Sequence, residues 1–236
     1  MAQTFVIKLG GSNISKSKDD LFDFAYISEF KNSLQSAISR GDKFFVCLGG
    51  GFAARMYRDL AKDAGITEVE QLHWIGTTVN VLNAIVAKAT FGEGTDEEVY
   101  KFEDYYSDKT LEIKNSVKFG GGGRPGHSGD YDAFMAAKKL GAKVVYSLKN
   151  VNGIYSSDPK LDPSAKRMEK LTWDEYFKII GHKEDFEPGG NYPIDPVTSK
   201  MAKEAGMKFI ILLGSDLENF NSALKGAPFT GTIVTD

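Results

Sequence analysis

The sequence predicts an α/β fold in which strands and helices alternate along one sheet, and three observations point there. Short β-branched or aromatic runs recur from one end of the chain to the other, and helical patterns fill the stretches between them, the signature of an α/β sheet rather than of segregated layers. The third is a glycine excess: 25 glycines in 236 residues, where ordinary usage gives roughly 17. Eleven of them fall in three clusters, Gly10-Gly11, Gly49-Gly50-Gly51, and Gly120 to Gly123 with Gly126 and Gly129, each behind an expected strand.

The strands are read at Phe5-Val6-Ile7-Lys8-Leu9, Phe44-Phe45-Val46-Cys47-Leu48, Val144-Val145-Tyr146-Ser147-Leu148 and Phe209-Ile210-Ile211-Leu212-Leu213. Each stops at a glycine or a polar turn. Between the second and third, Ala53, Met56, Tyr57, Leu60, Ala61 and Ala64 recur with helical spacing and leave Arg55, Arg58, Asp59 and Lys62 on other faces; this predicts an amphipathic helix packed on the sheet. Further helices are expected at about 73–90, 130–140, 172–180, 195–205 and 217–225. Residues 92–114 are acidic and aromatic without a clean period. No proline-rich linker divides the chain, which is read as one domain over 1–236.

A disulfide scaffold is excluded by the single Cys47, which is expected to be inert packing in a buried strand. With 29 basic and 32 acidic side chains, net −3, the chain lacks the clustered positive charge that binds nucleic acid or anionic membrane. No apolar run approaches a membrane span and the start of the chain lacks signal-peptide character, so the expectation is a soluble cytoplasmic protein.

Glycines at strand ends let backbone N–H groups approach a ligand, and helix N-termini add unsatisfied donors and a positive dipole end; phosphate suits such a site best. The plainer alternative is a set of tight turns. Neither the Walker sequence nor the dinucleotide-binding Gly-x-Gly-x-x-Gly opening a helix is present. Lys8 ends an otherwise apolar strand, where an amine is costly to bury unless an anion meets it or it snorkels out at the strand end. His127 and His182 are too isolated to suggest a metal.

Five segments, Val6-Ile7-Lys8-Leu9-Gly10-Gly11-Ser12, Gly49-Gly50-Gly51-Phe52-Ala53-Ala54-Arg55, Gly122-Gly123-Arg124-Pro125-Gly126-His127-Ser128-Gly129-Asp130, residues 150–160 from Asn150 through Tyr155 and Asp158, and Ile194-Asp195-Pro196-Val197-Thr198-Ser199-Lys200, together resemble the amino acid kinase superfamily. Within it the Pro-Gly-His stretch looks most like the archaeal type of uridylate (UMP) kinase. The resemblance implies a three-layer αβα sandwich on a mainly parallel sheet, with an acceptor-phosphate lobe over about 1–140, an ATP lobe over about 141–236, and a homohexamer built from dimers. It also implies nucleotide substrates, with Mg²⁺ carried on the ATP phosphates.

By the same resemblance Lys8, Asp130 and Lys200 are the catalytic candidates, the lysines cancelling phosphoryl charge and Asp130 orienting Lys8. ATP is expected against Lys8, Gly10, Gly11, Gly51, Arg55, Lys149, Asn150, Tyr155 and Asp158. The acceptor is expected against Gly50, Arg55, His73, Gly123, Arg124, Pro125, Gly126, His127, Ser128 and Gly129. Read alone, Lys200 is an ordinary helix lysine, Arg55 a surface arginine, and Asp130 and Asp195 helix N-caps. The chain departs from the family at His73, where uridylate kinases carry a ribose-binding aspartate, and at Ser128-Gly129, where they carry Thr-Thr. Three activities follow: UMP kinase; a sister kinase acting on a small phosphate monoester such as isopentenyl phosphate, or on a carboxylate or carbamate; and a non-catalytic ATP or oxoanion binder like the molybdate-storage relatives.

Overall fold

The computed structural model describes residues 2–159, 161–181 and 192–236; Lys160 and His182 lie outside them. In chain order the elements are β1 (Thr4–Leu9), α1 (Gly11–Ile14), α2 (Phe24–Ser39), β2 (Lys43–Leu48), α3 (Gly51–Asp63), α4 (Val69–Phe91), a 3-10 turn (Phe102–Tyr105), β3 (Val117–Gly120), α5 (Gly129–Leu140), β4 (Val144–Lys149), β5 (Ile154–Tyr155), β6 (Arg167–Met168), β7 (Lys170–Leu171), α6 (Trp173–Ile179), α7 (Pro196–Glu204), β8 (Lys208–Leu213), α8 (Leu217–Leu224) and β9 (Thr232–Val234).

The main sheet runs β3-β2-β1-β4-β8-β9-β7, with β5 and β6 paired apart from it. Neighbours are parallel except β8 with β9. Side-chain alternation along the strands sorts the core into two layers. Phe5, Ile7, Leu9, Val46, Leu48, Leu148 and Leu212 face one side with α2, α4 and α8; Val6, Phe45, Cys47, Val145, Phe209 and Ile211 face the other with α5, α6 and α7. The expected layered sandwich is therefore present, and the four expected strands lie where the apolar runs placed them.

Three details differ from the sequence reading. Residues 24–39, given no element, form α2, capped by Asp23 accepting from the Tyr26 N–H at 2.8 Å and buried through Tyr26, Ile27, Phe30, Leu34 and Ala37. A parallel pair such as β1–β2 needs a crossover, usually helical. Secondly, α3 packs chiefly on α4 and α1 rather than on the sheet. Ala53, Ala54 and Ala61 turn inward, and Tyr57 and Leu60 stay 50% and 56% exposed. Thirdly, the aperiodic segment 92–114 widens the β3 edge: it bridges Thr95 to Val117 and Tyr100 to Gly120 and buries Tyr100, Tyr105, Leu111 and Ile113.

Candidate active site

After β1 the chain goes to β2 on one side, and after β4 it goes to β8 on the other. Such a switch point leaves a crevice beyond the C-terminal strand ends. Lys8 stands opposite Ser147 in the β1–β4 register, and alternation turns Lys8, Ser147 and Lys149 to the face covered by α5. Asp130, in the first turn of α5, meets them there. Its Oδ1 and Oδ2 accept from Lys149 Nζ at 3.0 and 2.8 Å, and Oδ1 also accepts from Ser147 Oγ at 3.2 Å. Lys8 Nζ is farther, 3.9 Å from Oδ1; the carboxylate holds Lys149 more closely than the Lys8 it was expected to orient.

Both lysine side chains and Asp130 are nearly buried. Burial alone would raise the Asp130 carboxyl, yet Lys149 and Lys8 outweigh it and hold it below the usual range. Burial pushes Lys149 down to about 8, Asp130 pulling it back up and Lys8 pushing it down. Two cations thus share one anion at the mouth of the crevice. An arrangement with one positive charge left over fits a phosphate group.

Beside it, the loop between β3 and α5 carries the Pro-Gly-His segment. Ser128 caps α5, its Oγ accepting from the Asp130 N–H at 3.0 Å while donating to Asp195 Oδ2 at 2.5 Å. Asp195 in turn caps α7 through the Thr198 N–H at 2.9 Å, so one carboxylate ties the two helix starts together. His127 stacks on Tyr131, centroids 3.9 Å apart and planes at 7°. Arg124 pairs with Glu103 at 2.5 Å and lies over the Tyr106 ring, 4.2 Å from its centroid. A cavity of about 560 Å³ is lined by His73, Arg124, Pro125 and Gly126 together with Val69, Glu70, Trp74 and Glu103. Burial and the neighbouring Arg58 push the His73 imidazole down.

The glycine loops have packing work as well. A Cβ on Gly11 would sit 2.0 Å from the Gly51 nitrogen, so the loops after β1 and β2 lie backbone against backbone. Two of the first N–H groups of α3 are already taken, Phe52 by Ser15 O at 2.9 Å and Ala53 by Ser15 Oγ at 2.9 Å. Gly10 donates to Leu148 O at 2.8 Å, and Gly50 is the N-cap residue of α3. Gly129 rests on the Lys8 stem, 3.5 Å from Cε to a built Cβ.

The structure thus joins Lys8, Asp130 and Lys149 in one cluster and His73, Arg124, Pro125 and Gly126 around one cavity, with Ser128 and His127 between. Gly123 closes the loop through the Asp132 carboxylate, 3.1 Å from its N–H. Arg55 and Lys200 are exposed on α3 and α7 and do not join the cluster. Tyr155 donates through Oη to Asn152 Oδ1 at 2.8 Å, and Asn150 and Asp158 are exposed. Sequence reasoning passed over Ser147, Asp132, Tyr106, Glu103 and Trp74. Ser147 alone carried a signal, a hydroxyl two places before a lysine in a buried strand.

Residues 3–212 match the model of the amino acid kinase family. A uridylate kinase of Methanoculleus marisnigri is 32% identical over 98% of this chain and 95% of its own; one from Methanocorpusculum labreanum is 31% identical over 97% and 94%. The crystal structure of uridylate kinase from Archaeoglobus fulgidus superposes with a TM-score of 0.80 at 28% identity, each chain covered in full. That of the Bacillus anthracis UMP kinase reaches 0.78 at 20% identity, a likeness of fold. With the family model matching residues 3–212 and relatives above 30% identity covered along nearly their whole length, the chain belongs to the amino acid kinase family.

Proposed function

We propose that the protein transfers the γ-phosphoryl group of ATP to UMP, giving UDP and ADP. The observation that carries this reading is the Lys8–Asp130–Lys149 cluster at the switch point of the sheet. Transfer between two phosphates asks for alignment and for cancellation of charge on the equatorial oxygens rather than for covalent chemistry. The relatives named above, uridylate kinases along nearly their whole length, favour UMP over other acceptors.

In this reading Lys8 and Lys149 neutralise the transferring phosphoryl group, and Asp130 fixes both amines by contact with Lys149 and by charge with Lys8. The strands on the β4 side serve ATP, with Asn150, Tyr155 and Asp158 near the nucleoside and Lys200 approaching from α7. The β1–β2–β3 side serves the acceptor, its phosphate near Gly50 and Arg55, its nucleoside in the cavity of His73, Arg124, Pro125 and Gly126. Mg²⁺ carried on the ATP phosphates would supply further charge cancellation, and the surplus lysine charge of Lys8 and Lys149 fits that polyanion. Among the described residues no group of three or more His, Cys, Asp or Glu could hold a metal, and no helix is long and apolar enough to cross a membrane. The reaction is assigned to pyrimidine nucleotide synthesis in the cytoplasm, in a homohexamer built from dimers. The exposed apolar faces of α3 and α4 support the dimer.

A coupled assay for ADP release, run with UMP, CMP, isopentenyl phosphate and acetylglutamate, tests the proposal. Turnover with UMP well above the others is expected. ATP binding without turnover of any nucleotide would overturn it in favour of a binder, and turnover of isopentenyl phosphate alone in favour of a sister kinase.

A further inference from the structure

Among the described residues, two buried side-chain polar atoms lack a partner, His127 Nδ1 and Asp132 Oδ1, and both belong to the loop and first turns around Gly123–Asp132. Asp132 is 3% exposed. Its Oδ2 accepts from the Gly123 N–H at 3.1 Å, and its Oδ1 lies so near the same residue that a Cβ on Gly123 would be 2.3 Å away. The next N–H, of Arg124, is taken by Tyr106 Oη at 3.1 Å. Two consecutive amides of the loop are therefore gripped from below, one of them by a carboxylate.

The titratable groups facing that carboxylate are Cys47 from β2, Tyr105 and Tyr106 from the 3-10 turn, Asp130 and Tyr131 from α5, and Asp195 from the start of α7. None of these is a cation. Among the described residues no ion pair reaches Asp132; a buried carboxylate without a direct ion pair is a costly feature of a fold, and this one contacts the backbone of the segment that borders the proposed acceptor cavity.

We propose that Asp132 is a positioning residue for the loop 121–128, its ionised carboxylate fastening Gly123 so that the loop is set for the acceptor; this rests on the acceptor reading given above. Burial first, and then Asp195 and Asp130, push the Asp132 carboxyl up to about 7, against the backbone bonds that favour its charge. The anchor therefore changes strength near neutrality. Ionised, it accepts a charge-assisted hydrogen bond; protonated, it accepts a neutral one about half as strong, a difference worth about fivefold in loop closure.

Amide exchange of residues 121–128, corrected for its intrinsic pH dependence, tests the anchor in the ligand-free protein. Protection is expected to fall about fivefold from pH 8 to pH 6, and to stay level in Asp132→Asn. In the assay, KM for UMP should rise by the same factor beyond the titration of the phosphate monoester itself near pH 6, with kcat unmoved and the extra rise lost in the variant. Identical pH responses of protection in the two proteins, or an effect on kcat with KM unchanged, would overturn the proposal. Exchange decides the anchor even if UMP is not turned over, so the two readings fail separately. Should Asp132→Asn not fold, carbon-13 titration of Asp132 in the unaltered protein replaces it: the Gly123 amide must titrate with the same midpoint, and a Gly123 signal indifferent to that midpoint rejects the anchor.

Discussion

At the residue scale the site is governed by how few anions its lysines share. If, as proposed, Lys8 and Lys149 neutralise the transferring group, replacing Lys8 by alanine removes one of those two charges, and kcat should fall by about 10²–10³ with the melting temperature nearly kept. The same change relieves Lys149 of a like charge. Lys149, pushed down to about 8, loses its proton as pH rises, so kcat/KM, which reports the free enzyme, should decline through about pH 8. In Lys8→Ala that decline moves to higher pH, and in Lys149→Arg it disappears, because a guanidinium does not titrate there. A kcat/KM profile flat to pH 9 would remove Lys149 from the mechanism. Asp132 has the opposite sign: its carboxyl goes from 3.8 to about 7 on folding, so the native state holds the extra proton between those values. Stability is then lost as pH rises from about 4 to 7, at up to about 1.4 kcal/mol per pH unit. Melting curves should show the gap between Asp132→Asn and the unaltered protein widening in favour of the variant over that window and constant above it.

At the element scale the helix caps join the two halves of the site. Ser128 Oγ caps α5 and reaches the Asp195 that caps α7, so Ser128→Ala should cost about 1–2 kcal/mol in urea unfolding; a cost below about 0.3 kcal/mol would mean that Asp195 holds both helices without it. Elements were legible in the sequence where burial is two-sided and continuous: the runs at Phe5, Phe44, Val144 and Phe209 lie within the observed strands. They were illegible where partners come from afar. Tyr105 and Tyr106 sit in a segment without a period because their packing is set by Phe45 and Tyr131. α3 misled because its apolar stripe has no sheet beneath it. Among site residues, Lys8 stood out as a charge in an apolar strand, whereas Asp132 resembled any acidic residue in a first helical turn until the fold buried it.

At the scale of the whole molecule, α4 connects the site to an outer face. On its inner side Asn83 Nδ2 donates to Gly49 O at 2.9 Å, and its first turns carry His73 to the cavity wall. On its outer side Leu82 and Ile85, three residues apart on one helical stripe, remain exposed by 51% and 46%, and Tyr57 and Leu60 of α3 are exposed as well. Each large side chain of this kind contributes about 1.5–3 kcal/mol when fully buried, so covering the stripe with a second copy of the chain would be favourable. If it is the dimer contact, Leu82→Glu with Ile85→Glu should reduce the particle seen by light scattering to smaller species while the circular dichroism spectrum persists. Because the helix that carries the stripe also carries His73, the dissociated form should bind acceptor more weakly, with ATP affinity less affected. An unchanged particle mass in the double variant would place the contact elsewhere, and lost assembly with unaltered acceptor affinity would show that α4 holds its site face without help from a neighbour.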